Sequence, residues 1–213
     1  PDLLFPELKK FNRVYNFYED KNGLLWFGTM GSGLFSYDFK ADKYQNYNFE
    51  KSKGLSDDGN SVFYLDGVGD EIWCGTNRGV RIFNPATKKF RSFSEWPSKE
   101  RIDTSYVSYL AASETDSSIW FYGDGKGFFR YSYSDKSIQK FSLADTDSVG
   151  KALHFISSIT VDTAGGVWIG SWNGLLKYNK ETRRLDFYRS ESNDSTAIPA
   201  GFISRGVLYR DGT

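Results

Sequence analysis

One phrase is written four times along this chain, as "DKNGLLWFGTMGSGLFSY", "GVGDEIWCGTNRGVRIF", "TDSSIWFYGDGKGFFRY" and "DTAGGVWIGSWNGLLKY". Alignment on Trp26, Trp73, Trp120 and Trp168 gives intervals of 47, 47 and 48 residues, a period found in propeller blades and in some helical arrays. A second register runs beside the first. Six or seven residues after each Trp stands a glycine (Gly33, Gly79, Gly127, Gly174), and four residues further an aromatic (Tyr37, Phe83, Tyr131, Tyr178). The closing "FISRGVLYRDGT" begins a fifth copy and stops before its Trp.

The local pattern separates helical from β repeats. "LLWF" and "GVWI" are short apolar runs bounded by Gly, Asp and Asn, and no 3.6-residue stripe persists for about ten residues. The usage of 18 Phe, 14 Tyr, 6 Trp and 21 Gly suits strands joined by tight turns. Each copy therefore reads as a meander of four antiparallel strands A to D, at 14–18, 24–28, 34–37 and 44–47 in the first. A lone meander cannot bury both faces, whereas stacking meanders around an axis can. The predicted fold is all-β, a single β-propeller segment over 1–213 with blades near 12–58, 59–105, 106–153 and 154–200 and the start of a fifth at 201–213. Trp26, Trp73, Trp120 and Trp168 are then expected to pack structurally between neighbouring blades, where a large flat side chain fills the gap between twisted sheets. Cys74 takes the position of Phe27, Phe121 and Ile169 and reads as a small buried apolar residue.

Charge and rare residues exclude several function classes. Lys plus Arg equals Asp plus Glu at 27 each, so no long-range field favours nucleic acid or an anionic membrane. One Cys and one His, Cys74 and His154, supply neither an internal disulfide nor a usual zinc ligand set. No metal site and no cofactor is expected. No apolar run reaches the about 18 residues of a membrane span. The chain opens on Pro without a signal-peptide pattern and reads as a piece of a longer polypeptide. "GDGKG" lacks a following helix to hold a phosphate, and "DTDSVG" at 145–150 lacks the later ligands of a calcium loop. No nucleophile stands with a base and an orienting group, so no catalytic residue is assigned.

Written as an acidic turn, Leu or Val, Trp, Ile or Phe, Gly, Thr or Ser, then Gly-Leu and an aromatic, the unit resembles the two-component regulator propeller repeat. The resemblance runs over residues 12–213, with a departure in the third copy, which has Tyr122 and Gly123 in place of Gly and Thr or Ser. It implies an incomplete arc of a larger ring of about seven blades. It also implies a non-catalytic periplasmic sensor module of a hybrid two-component receptor that responds to oligosaccharides. In such receptors the propellers are followed by a β-sandwich, a membrane helix and a histidine kinase. Partners expected on that basis are an oligosaccharide, the other blades and sandwich of the same polypeptide, and a second copy as a homodimer.

Strands in a blade alternate in direction, so B–C turns and D–A connectors share one face, and ligands favour loops on a rigid scaffold. Trp172, Asn173, Arg78, Tyr122, Asp124 and Lys126 lie at B–C turns of that face and are the candidate ligand-binding residues. Flat aromatic faces cover the C–H patches of a sugar while planar polar groups pair its hydroxyls. Two other readings use the same repeat. One is a propeller enzyme, a lyase or glycosidase, which needs convergent carboxylates near the axis; the other is a purely structural or dimerising spacer.

Overall fold

Alternation along each strand sends the repeat tryptophan to one face and its two neighbours to the other, and every sheet is built on that division. The computed structural model describes residues 13–49, 60–93, 106–124, 127–141, 156–172 and 174–188. The candidates Asn173 and Lys126, His154, the acidic loop at 145–150 and the fifth-copy segment 201–213 lie outside them.

The first sheet comprises β1 (Val14–Glu19), β2 (Leu24–Thr29), β3 (Leu34–Asp38) and β4 (Lys43–Tyr47). The second comprises β5 (Val62–Val68), β6 (Glu71–Thr76), β7 (Gly79–Asn84) and β8 (Lys89–Ser92). The third is β9 (Val107–Ser113), β10 (Ser118–Gly123), β11 (Gly127–Ser132) and β12 (Ser137–Phe141), and the fourth β13 (Ile156–Val161), β14 (Val167–Ser171), β15 (Gly174–Asn179) and β16 (Arg184–Tyr188). In each sheet the strands pair in chain order, which is the expected meander, and the described residues form no α-helix. Four such antiparallel sheets are propeller blades, as the repeat predicts.

Two devices recur. The glycine before strand C has positive φ in all four copies, from 82° at Gly79 to 146° at Gly174, a conformation that a Cβ makes costly. Strand A carries a bulge at the same place in three sheets, between Val14 and Asn16, Val62 and Tyr64, and Ile156 and Ser158, which bends the strand and redirects one side chain.

The chain forms two compact units, Pro1–Ser108 and Tyr109–Thr213. In the first, Trp26 and Leu34 from one sheet join Val62, Leu65, Ile72, Cys74 and Phe83 from the next in a single core. Trp26 lies 5.6 Å from Phe83, and Tyr47 lies 4.5 Å from it. Gly28 makes this seating possible, because an added Cβ would fall 2.6 Å from the Val62 carbonyl oxygen. Burial pushes the Cys74 thiol pKa up, so it behaves as an apolar side chain rather than a nucleophile.

In the second unit Trp120, Phe128 and Phe141 meet Ile156, Val167, Ile169, Leu176 and Tyr178, with Trp120 edge-on to Tyr178 at 4.6 Å. Here Tyr122 stands in the position of Gly28, and its ring is part of the core. The third sheet thus fills with a phenol the space that the first leaves for the backbone of its neighbour. Trp73 is fully buried beside Phe93, whereas Trp168 is half-buried.

Candidate functional site

The B–C turns are held by a repeated side-chain clasp. Thr29 Oγ1 donates to the Gly33 carbonyl at 2.8 Å, Thr76 Oγ1 to Gly79 at 2.8 Å and Ser171 Oγ to Gly174 at 2.9 Å. Position Gly123 of the third copy has no hydroxyl, so its turn lacks this clasp. In the first unit the turn also docks on the following sheet, with the Gly33 amide on the Asn60 carbonyl at 2.7 Å and the Gly31 amide on Ser61 Oγ at 3.0 Å. A turn anchored at both ends presents its apex side chain in a fixed direction, which is what a recognition residue needs.

The candidate residues separate into different environments. Trp172, at the apex of the β14–β15 turn, is 59% exposed. Asp124 is exposed at the β10–β11 turn of the same unit. Tyr122 is buried, and burial first, then the charge of Asp124, raises its phenol pKa. Arg78 is half-buried in the first unit, its amide donating to Thr76 Oγ1 at 3.0 Å. Trp172 and Asp124 therefore occupy equivalent turns of adjacent sheets, Tyr122 lies beneath, and Arg78 belongs to the other unit.

A further surface in the first unit escaped the sequence reading. Tyr15 and Phe63, the residues extruded by the strand A bulges, meet edge-on at 5.0 Å, and Phe63 lies 4.4 Å from Tyr106. Tyr106 is partly exposed, and the exposed Met30 accepts from the Tyr15 hydroxyl. Such a row offers flat apolar surface with a polar tip. Spacing alone cannot reveal it, since a bulge changes which face a residue takes without altering the repeat length.

The opposite, A–B end of the sheets is built around the tryptophan nitrogens. Trp26 Nε1 donates to Asp20 Oδ2 at 2.8 Å and Trp168 Nε1 to Asp162 Oδ2 at 2.9 Å. The other oxygen of each carboxylate takes turn amides, Asn22 and Leu24 on Asp20 and Ala164 and Gly166 on Asp162. In the third sheet the link is relayed, from Trp120 Nε1 to Ser118 Oγ at 3.0 Å and from Ser118 to Asp116 at 2.7 Å, and Arg130 pairs with the same carboxylate. The acidic character of the A–B turn was legible in sequence; its bond to the indole six residues on was not.

Burial opposes ionisation of Asp162, but the Trp168 indole, the Gly166 and Ala164 amides and the Lys177 charge outweigh it and hold the carboxyl below its ordinary value. At Asp116 burial is likewise outweighed, by Ser118, Ser113 and Arg130. A carboxyl with a depressed folded pKa stabilises fully above its unfolded pKa and loses that contribution as pH falls through the folded one. Thermal unfolding followed against pH should show the melting temperature falling below about pH 4, with a smaller fall in Asp162→Asn. An equal fall in the variant would remove Asp162 from the account.

The comparisons with known proteins agree with this architecture. Residues 9–31 match the family described as "Two component regulator propeller". Histidine kinase P4 of Formosa agariphila is 28% identical over 169 residues, covering 78% of this chain and 12% of the kinase. Among solved structures, the extracellular domain of the putative hybrid two component system BT4673 from B. thetaiotaomicron superposes with a TM-score of 0.63 at 20% identity, covering 87% of this chain and 23% of that one. That of BT3049 from the same organism gives 0.62 at 21%, covering 82% and 23%. The fold is thus shared with these extracellular domains, and residues 9–31 match a two-component regulator propeller repeat. It spans only a small part of each of these relatives.

Proposed function

We propose that this chain is part of the periplasmic sensor region of a hybrid two-component histidine kinase, where it contributes to recognition of an oligosaccharide and does no chemistry itself. The observation that carries the reading is Trp172, a large indole held out at the apex of a clasped turn rather than packed in a core. An exposed aromatic plane is costly to leave in water, and it suits the C–H face of a pyranose. Asp124 on the neighbouring turn adds an acceptor for sugar hydroxyls. The row of Tyr15, Phe63 and Tyr106 offers a second plane in the other unit.

The similarity to a histidine kinase and to extracellular domains of two-component systems supports the sensor context. In that context a ligand acts by its differential affinity for two arrangements of the propellers, and the shift passes through a following β-sandwich and membrane helix to the kinase. The test is a screen of oligosaccharides against the chain by tryptophan emission, repeated with Trp172→Ala. The variant should unfold at the same denaturant concentration as wild type and lose most of the response; a response equal to wild type would remove Trp172 from the site.

A further inference from the structure

In the first unit, neighbouring strands close up on a glycine that stands two residues after the repeat tryptophan. At Gly28 an ideal Cβ would meet the Val62 carbonyl oxygen at 2.6 Å, and at Gly75 it would meet the Val107 carbonyl oxygen at 2.8 Å. Ordinary contact begins at 3.4 Å, so neither position takes a side chain unless the neighbouring strand moves away. The third sheet has Tyr122 in this place. Its ring is buried with Trp120, Phe128, Phe141 and Ile156. The backbone of β13 therefore cannot take, against β10, the place that the backbone of β5 takes against β2. β5 lies along both β1 and β2, whereas β13 meets β10 over a short stretch.

The opposite end of the same joint is closed. In the A–B turns an ideal Cβ on Gly165 would run into Thr115 Oγ1, and Gln139 Nε2 donates across the joint to the Arg183 carbonyl at 3.0 Å. The joint between the third and fourth sheets is thus a wedge, tight at the A–B turns and propped at the B–C turns by one phenol. The propped end carries Asp124, two residues beyond Tyr122, and Trp172 at the apex of the matching turn, both exposed. Separation of the sheets at this end is separation of those two groups.

We propose that Tyr122 is a positioning residue: its ring holds the third and fourth sheets apart at the B–C end, setting the span between the Trp172 indole and the Asp124 carboxylate and with it the length of saccharide that engages both. The proposal rests on the oligosaccharide reading of that site. Tyr122 acts through its two neighbours without touching the ligand, and the volume of its ring carries the effect rather than its hydroxyl.

Two readouts on the 213-residue chain test this. Spin labels on Asp124→Cys and Trp172→Cys report the span with no ligand present, and the fully buried Cys74 does not compete for the label. Tyr122→Ala should shorten the mean label distance by roughly 1–2 Å, on the order of the difference between a glycine seat and ordinary carbon contact. Tyr122→Phe should leave it unchanged, and Tyr122→Leu replaces the alanine variant if circular dichroism shows that one unfolded. With Asp124 and Trp172 restored, tryptophan emission is titrated with a length series of each linear oligosaccharide in the screen. The alanine variant should bind the length preferred by wild type about tenfold more weakly and favour a shorter one, while the phenylalanine variant matches wild type. Lost stability alone would weaken the response to every length alike. An unchanged label distance in the smaller variants overturns the spacer, whether or not saccharides bind. A shortened distance with an unchanged length preference overturns its role in selectivity, and a wild type that responds to no length overturns the oligosaccharide reading beneath it.

Discussion

Gly28→Val is expected to cost the first unit about 3 kcal/mol, at the upper end of the range for overpacking a filled site. An ideal Cβ there meets the Val62 carbonyl oxygen at 2.6 Å and its Cγ1 at 2.7 Å. The oxygen is backbone inside the receiving strand, so relief requires moving β5 away from β2 and opening the core around Trp26 and Phe83. Gly31→Ala is the control. Its φ of 79° carries a left-handed penalty of roughly 1–2 kcal/mol, but nothing lies within 4 Å of the added carbon. Urea unfolding of both variants should place Gly28→Val well below Gly31→Ala; a reversed order would mean that close sheet approach does not limit this position.

Trp120→Ala should be the most damaging truncation in the second unit, at about 3–5 kcal/mol. The indole is fully buried among Phe128, Phe141 and Tyr178. Its removal opens a cavity shared by two sheets and takes the indole donor from the Ser118–Asp116 relay. Trp120→Phe keeps most of the ring volume and loses the donor, so its hydrogen-bond share should be about 1 kcal/mol. Chemical denaturation monitored by circular dichroism separates the two terms. If the phenylalanine variant were as unstable as the alanine one, the relay rather than packing would dominate.

The architecture was legible because each sheet repeats its essential chemistry at a fixed spacing. Trp26, Trp73, Trp120 and Trp168 fix strand B, and the glycines with positive φ fix the turn into strand C. The C–D turns were less readable. Asp42, Lys88, Lys136 and Arg183 all adopt φ of 51–55° one residue before strand D, although none is Gly or Asn and only Asp42 is of a type that favours this conformation. Tyr122 reads in sequence as a B–C turn residue for ligand contact, yet strand pairing with Phe128 carries it into the core. That departure was visible as a substitution for Gly, but the space such a glycine leaves is a property of two sheets and cannot be read from one. Trp172 stands out in the sequence as the one tryptophan at a B–C turn, and there it is 59% exposed.

The indole brackets bear on how such a chain could have grown. Each bracketed tryptophan completes its polar bond within its own sheet, through Asp20, Asp162 or the Ser118–Asp116 relay. A newly duplicated copy in the gene would bring its carboxylate and its indole together, so a recipient sheet need supply no hydrogen-bond partner for that nitrogen. What it must offer is an apolar surface of the right contour. A repeat whose most expensive polar group is satisfied before it meets its neighbour can be inserted, lost or exchanged by recombination, leaving selection to adjust the contour afterwards.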